Sequence, residues 1–162
     1  MSLFGLFGKN TIHDPWLGEI SHGFGKWKGN AAKIFDAESV EIRIPGDKNG
    51  PSSDAINNLK KLEGCYPSMK GELAKTLFEE HYKPGKEAFD SGEFGDLIDE
   101  YPIIESPEAI WPFVGVVRVW VNSYGNKGKI EIAYETEWDI EHTLGFVFEN
   151  CKVIEFCGSV GP

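Results

Sequence analysis

Two long β-rich runs near the carboxyl end constrain the fold of this chain more than any other feature. They are FVGVVRVWVN (113–122) and KIEIAYETEW (129–138), and the stretch SYGNKG between them contains Asn and Gly, which tolerate positive φ. In the second run apolar and polar residues alternate, so Ile130, Ile132 and Tyr134 share one face. The pattern predicts an antiparallel hairpin with that face in the core.

Two further runs, TLGFVFEN and KVIEFC, extend the hairpin and are joined by a tight turn near Asn150. The last third is therefore predicted to be a four-strand antiparallel meander. The apolar positions of these runs predict a core that contains Val117, Val119, Ile130, Ile132, Tyr134, Phe146 and Phe148.

Short strands and then helices are predicted for the first two thirds of the chain. The strand segments are WLGEISHGF, KWKGN, AAKIF and SVEIRI, separated by Gly, Asn or Asp. A helix capped by Ser52 or Ser53 follows, a second one begins after Pro67 and ends at Pro84, and a short third helix is placed near Asp96. The predicted fold class is α+β: N-terminal short antiparallel strands, two or three central helices and the C-terminal four-strand meander.

The length and composition indicate one domain. A chain of 162 residues that is 41% apolar can bury one sizeable core. We expect an apolar N-terminal tail over residues 1–12 and a single α+β domain over residues 13–162. The apolar run of the tail is shorter than a signal-peptide core, and no run approaches the length of a membrane span. These features predict a cytoplasmic protein without a membrane span.

The charge and the cysteines narrow the classes of partner and of bound group. A net charge of −10 without a basic cluster disfavours nucleic acid. Such a charge would steer a basic protein partner to the surface, but it is also typical of proteins whose acidic surface serves solubility alone, and the charge by itself favours this second interpretation. Self-association through the tail or a sheet edge would give a homo-oligomer.

The cysteine count is odd, at Cys65, Cys151 and Cys157, and there is no C-x-x-C pair. We therefore predict reduced thiols, with neither a disulfide nor a structural zinc.

No complete catalytic or cofactor motif is present. DKNGPSSD lacks the glutamate of a calcium loop, and CGSVG lacks the first glycine of a nucleophile elbow. The four histidines are scattered, and His81 on an apolar helical face is interpreted as a core histidine. The sequence predicts no cofactor, no metal site and no catalytic residue.

The stretch YETEWDIEH (134–142) is the densest group of ionisable side chains. Three interpretations remain open for it: a turn with solvated carboxylates, a surface for a partner or ligand, or a metal or catalytic cluster. On the strand before it, Glu131 and Glu135 are predicted to face water. The candidate partner-binding residues are Glu131, Glu135, Glu137, Asp139, Glu141 and His142.

A resemblance adds an expectation about function. EWDIEHTLGFVFENCKVIEF resembles the closing segment of a family of small uncharacterised bacterial proteins with a W-D-x-E-H-x-L-G-like motif, and DPWLGEI with GKWKGN resembles its opening. Thr143 stands where that family usually has Gly. Some members are immunity-type proteins of bacterial toxin systems. The resemblance implies a non-catalytic bacterial binding protein, of the immunity type, that binds a toxin or another basic partner through an acidic surface. The alternative is a metal-assisted hydrolase that uses the cluster from Glu137 to His142.

Overall fold

The computed structural model of the protein describes residues 10–93, 100–122 and 125–160. Within these ranges the strands are β1 (Thr11–Asp14), β2 (Gly18–Gly23), β3 (Lys26–Ile34), β4 (Ala37–Asp47), β5 (Gly50–Pro51), β6 (Val114–Val121), β7 (Lys129–Thr136), β8 (Asp139–Glu149) and β9 (Lys152–Cys157). Residues 1–9 of the predicted tail lie outside the described residues, and so does the helix predicted near Asp96.

A continuous helical segment extends from Ser53 to Asp90. It consists of α1 (Ser53–Thr76), a π-helical segment (Leu77–Tyr82) and α2 (Lys83–Asp90). The predicted cap is confirmed, since the Ser52 side chain accepts a hydrogen bond from the Ala55 N–H. A short 3-10 helix (Pro107–Phe113) precedes β6. In the described ranges, none of the helices combines the length and hydrophobicity that crossing a bilayer requires.

The prediction that Pro67 and Pro84 separate helices is wrong. Pro67 lies inside α1 on its exposed side, and the neighbouring buried residues Tyr66 and Met69 hold the helix against the core. Proline in a helix removes one hydrogen bond, a cost that this packing outweighs. Pro84 follows the π-helical segment, where the Lys83 N–H bonds the Phe78 carbonyl five residues back. This wider turn accommodates the proline ring, and the helix continues.

The predicted fold class is also wrong, because the strands form one mixed sheet. Its order is β1-β2-β3-β4-β6-β7-β8-β9, with β5 beside β4, which makes nine strands in the described part of the chain. The four C-terminal strands pair antiparallel in sequence, but they are not a separate meander, since β6 pairs parallel with β4. A parallel pair needs a long crossover, and the helical segment from Ser53 to Asp90 lies in it. Alternation of residues identifies faces of strands, and it does not identify their neighbours.

The core lies between the helical segment and one face of the sheet. Of the predicted core residues, Val119, Ile130, Ile132, Tyr134, Phe146 and Phe148 are buried. The hydroxyls of Tyr66 on α1 and Tyr134 on β7 are hydrogen-bonded at 3.1 Å. Val117 is only half-buried, because the register of β6 against β7 shifts between Val116 and Arg118. Such a bulge turns its extra residue away from the regular alternation.

The opposite face of the sheet carries two charged residues in one cross-strand row. In register across β4, β6, β7 and β8 lie Arg43, Trp120, Glu131 and Val147. Glu131 is 1% exposed and lies 3.4 Å from the guanidinium of the buried Arg118. The prediction that Glu131 faces water is therefore wrong. Strand alternation correctly assigned Glu131 to the face opposite the core, but the side chains in the middle of that face are buried.

A disulfide joins Cys65 of α1 to Cys151 in the β8–β9 turn, with Cα atoms 6.1 Å apart. The prediction of three reduced thiols is wrong in this respect, and only Cys157 is unpaired. Asn150 and Cys151 both have positive φ, 50° and 60°, as the central residues of a tight hairpin turn require. The turn presents Cys151 to a helix that is remote in sequence. The pairing also removes the thiol-based reason for expecting a reducing compartment.

Candidate functional site

The densest ionisable cluster lies where β7 turns into β8. We define the β7–β8 corner as residues 135–143. The chain reverses at Glu137 and Trp138, between Thr136 and Asp139, which pair with each other. The predicted turn is thus present, but Asp139 already belongs to β8. The Glu137 N–H bonds the carbonyl of Phe113 at 3.0 Å, so the 3-10 helix before β6 supports the corner.

Asp139 is the centre of the corner. Its Oδ1 accepts a hydrogen bond from the backbone N–H of His142 at 3.2 Å and lies 2.9 Å from Nδ1 of the same residue. Its Oδ2 lies 3.4 Å from Nε2 of His81 on the π-helical segment. The carboxylate therefore holds two imidazole rings, one exposed and one mostly buried.

The ring of His81 is fixed from its other side by Trp138. The indole Nε1–H donates to Nδ1 of His81 at 2.9 Å. An indole nitrogen is only a donor, so this Nδ1 acts as the acceptor and the neutral ring carries its proton on Nε2, facing Asp139. Burial, the largest cause, lowers the pKa of His81 below its ordinary value, although the charge of Asp139 acts in the opposite direction. His81 is consequently neutral at pH 7.

The π-helical segment places His81 at the corner. Tyr82, its last residue, packs its ring edge-on against the ring of Trp138, with centroids 5.5 Å apart. A π-helical turn is a costly interruption of an α-helix, and such turns are frequent at functional sites. The long helix is therefore adapted locally to the β7–β8 corner.

A groove of about 600 Å³ opens beside the corner. One wall comes from the end of the 3-10 helix and from β6, including the displaced Val117, and the other comes from the corner itself. Its rim carries Ile140, whose side chain is 90% exposed. The lining residues are Pro112, Phe113, Val114, Gly115, Val117, Glu135, Thr136, Glu137, Asp139, Ile140, His142 and Thr143.

The structure brings most of the predicted site residues together. Glu135, Glu137, Asp139 and His142 line the groove, and Glu141 is exposed on the same corner. Glu131 is not part of this surface, because it is buried beside Arg118. Throughout residues 10–93, 100–122 and 125–160, no three or more His, Cys, Asp or Glu side chains are arranged to hold a metal ion. The corner offers carboxylate charge and hydrogen-bonding groups.

Sequence reasoning missed His81, Trp138 and Thr136 as parts of this site. The helical spacing around His81 indicated a core position, and a mostly buried histidine with partners on both nitrogens agrees with that interpretation in part. No local pattern links His81 to a corner 57 residues later. Thr136 belongs to the β-rich run, and its contact with the groove depends on the turn geometry.

A family model described as a domain of unknown function, DUF6985, matches residues 16–161. The chain belongs to the DUF6985 family. The match includes the helical segment, the β7–β8 corner and the groove, so the site lies within the part of the chain that defines the family. No curated protein and no solved structure matches the chain.

Proposed function

We propose that the protein is a non-catalytic binding protein that recognises a basic protein partner through the β7–β8 corner. The carrying observation is uncompensated negative charge: in the described ranges, no Lys or Arg side chain forms an ion pair with Glu135, Glu137 or Glu141. By contrast, Glu131 has a cationic partner in the same sheet. Unpaired carboxylates on one corner attract a partner with the opposite charge.

The apolar part of the same surface supports a protein ligand. Ile140 is 90% exposed and stands between Glu137 and Glu141 along the chain, with the groove at its side. Binding surfaces commonly combine an apolar anchor with a charged rim that steers the encounter. The charged rim sets the association rate, and the anchor sets the dissociation rate.

The proposed identity of the partner comes from the resemblance of the closing segment to a family that includes immunity-type proteins. Under this proposal the protein is bacterial and of the immunity type, and the partner is a toxin whose surface is basic. Under this proposal the protein acts in the cytoplasm, where disulfides are unusual. The redox state of Cys65 and Cys151 in the cell therefore tests the proposed location. A homo-oligomer is compatible with it, and a nucleic-acid ligand is disfavoured by the net charge of −10.

The alternative function is a hydrolase. One observation favours it: Asp139 Oδ1 lies 2.9 Å from Nδ1 of the exposed His142, an arrangement that leaves Nε2 of His142 available as a general base beside the groove. The metal-assisted form of this hypothesis would use Glu137, Asp139, Glu141 and His142 as ligands. A substrate turned over by the pure protein, and no longer turned over by His142→Gln, would favour the enzyme over the binding protein.

The proposal is tested by partner capture followed by stopped-flow association across a salt series. The variant is Glu137→Gln with Glu141→Gln, and the matched control is Glu19→Gln with Glu72→Gln, which removes the same charge from exposed positions outside the corner. The corner variant should capture less partner than the control and associate about tenfold more slowly at low salt, with the difference vanishing at high salt. Equal capture and equal rates for the two variants would rule out the corner as the binding surface.

A further inference from the structure

The turn between β2 and β3 presents a phenylalanine at a position that favours asparagine. We define the β2–β3 tip as residues 23–26. Its central residues Phe24 and Gly25 have φ angles of 54° and 72°, and the flanking Gly23 and Lys26 pair with each other. Two-residue turns with positive φ at both central positions favour Asn followed by Gly, and a bulky side chain at the first position is strained. Phe24 is nevertheless fully exposed, so packing within the described part of the chain does not offset this strain.

Two other hairpin turns of the chain show how such strain is avoided or offset. The β8–β9 turn has Asn150 in the equivalent position, with a φ of 50°, and Asn tolerates this conformation. The β3–β4 turn has Phe35 there, with a φ of 55°. Phe35 is 4% exposed, and its ring packs edge-on against the ring of Tyr66 with centroids 4.8 Å apart. Phe24 has a similar φ without such packing, and this points to a contact in another molecule.

The β2–β3 tip is basic, whereas the chain as a whole is acidic. Residues 21–30 include Lys26 and Lys28 and contain no Asp or Glu, although the net charge of the chain is −10. The β4–β5 turn lies beside the tip and adds one exposed residue of each sign, Asp47 and Lys48. The tip thus presents an aromatic ring next to positive charge. A surface that receives it should be apolar and acidic.

The groove beside the β7–β8 corner has these properties and lies at the opposite end of the sheet. β4 pairs antiparallel with β3 and therefore runs toward the β2–β3 tip, and β6 runs in the same direction as β4. The groove lies at the beginning of β6 and the end of β7. The 8 residues of β6, at about 3.3 Å each, put roughly 25 Å between the two ends of the sheet. The tip is thus too far from the groove of its own molecule, and a second copy can bring the two together.

We propose that the β2–β3 tip of one copy binds the groove of a second copy. The ring of Phe24 packs on the apolar lining, which includes Phe113 and Val117, and Lys26 approaches the carboxylate of Glu137. Because the tip and the groove are different surfaces, the contact is heterologous, and its small area makes it weak. This inference goes beyond the proposed function, and under it self-association competes with the partner for the corner.

Two variants, each defective in one surface, test this contact. Phe24→Asn, the tip variant, keeps the groove, whereas Glu135→Lys with Glu137→Lys, the groove variant, keeps the tip and reverses two exposed charges. In sedimentation velocity at about 0.5 mM protein and low salt, wild type should associate, and either variant should associate about tenfold more weakly. An equimolar mixture of the two variants should associate again, because one supplies an intact groove and the other an intact tip. Glu19→Lys with Glu72→Lys, a matched charge change at exposed positions outside the corner, should leave association unchanged.

Two-dimensional NMR locates the contact on the surface. The isotope-labelled tip variant is titrated with the unlabelled groove variant. Saturable shifts are expected at the backbone amides of Gly115, Val117 and Ile140, which line the groove. Shifts confined to another surface would overturn the assignment of the groove.

The stability of the tip variant tests the strain argument separately. Asn adopts positive φ more readily than Phe, and the exposed ring of Phe24 has no packing to lose. Phe24→Asn should therefore raise the urea midpoint of the dilute protein. Phe35→Asn, the same exchange at a buried position, should lower it. A lower midpoint for Phe24→Asn would contradict the argument that this ring lacks a partner in its own chain.

The outcomes separate this inference from the proposed function. A wild type that stays monomeric, association that survives Phe24→Asn, or a mixture of the two variants that does not associate would each overturn the tip-to-groove contact. A monomeric wild type that instead binds vesicles of phosphatidylglycerol and phosphatidylcholine through Phe24 would assign the ring to a membrane surface. If the copies do not associate but partner capture depends on Glu137 and Glu141, this inference fails and the proposed function stands. If the copies associate through the groove but capture is independent of the corner, the contact stands and the proposed function fails.

Discussion

Removal of the Cys65–Cys151 disulfide should cost the protein a large part of its stability. The bond joins residues separated by 86 positions. In the chain-entropy description, closing a loop of that length in the unfolded chain stabilises the folded state by about 4.6 kcal/mol, and removal of native disulfides typically costs about 2 to 5 kcal/mol. Domains of this size have a total unfolding free energy of about 5 to 15 kcal/mol. We expect Cys65→Ser with Cys151→Ser to lose about 2 to 5 kcal/mol.

Urea unfolding in the presence and absence of a reductant measures this contribution. The wild type should unfold at a lower urea concentration in the reductant, and the double variant should not respond to it. Cys157→Ser is the matched control, because it replaces the unpaired cysteine, and its unfolding free energy should stay within about 0.5 kcal/mol of wild type. The comparison of wild type with and without reductant leaves the Cys65 side chain unchanged. It therefore measures the stabilisation by the bond separately from the stabilisation by packing of Cys65 against the core.

Thiol titration gives the result that would refute this reasoning. The unfolded, unreduced protein should show one reactive thiol, Cys157. Three reactive thiols would mean that the bond does not form, and a urea midpoint that does not change with reductant would mean that the bond does not contribute to stability. A bond that forms and persists in the cell would point to an oxidising compartment and would contradict the expectation of a cytoplasmic protein.

Further substitutions test the core, the sheet and the corner. Ile132→Ala should reduce the unfolding free energy by about 2 to 5 kcal/mol through cavity formation, and Val117→Ala by much less, because Val117 is only half-buried; urea unfolding compares them. Gly145→Ala places a Cβ against Val160 and should cost about 1 to 3 kcal/mol, which an added Val160→Ala should partly restore. Because burial lowers the pKa of His81 in the folded protein, the unfolded chain binds the proton more tightly, so stability should be complete above the ordinary pKa of about 6.5 and fall as the pH drops below it. His81→Gln should reduce that loss in thermal unfolding measured between about pH 7 and pH 5, and an unchanged pH dependence would contradict the assignment of the neutral ring.

Local patterns determined the features that depend on neighbours in sequence. Alternation in KIEIAYETEW identified Ile130, Ile132 and Tyr134 as a core face, and they are buried. Ser52 caps the helix because its side chain bonds a nearby backbone N–H, and the turn at Asn150 forms because that residue tolerates positive φ. Each of these features involves residues that are within a few positions of each other, so the local sequence contains the physical cause.

Only the tertiary structure decided which elements meet. The β6–β7 hairpin brings Arg118 to Glu131, and the parallel pairing of β4 with β6 places that hairpin in the middle of the sheet, where Glu131 is buried. Alternation alone could assign Glu131 only to the side opposite the core. The helix passes through Pro67 because packing against the sheet outweighs a local cost. The disulfide partners are 86 residues apart in sequence, and Trp138 and His81 are 57 apart. Contacts over such separations depend on the path of the whole chain, and neither residue periodicity nor spacing encodes that path locally.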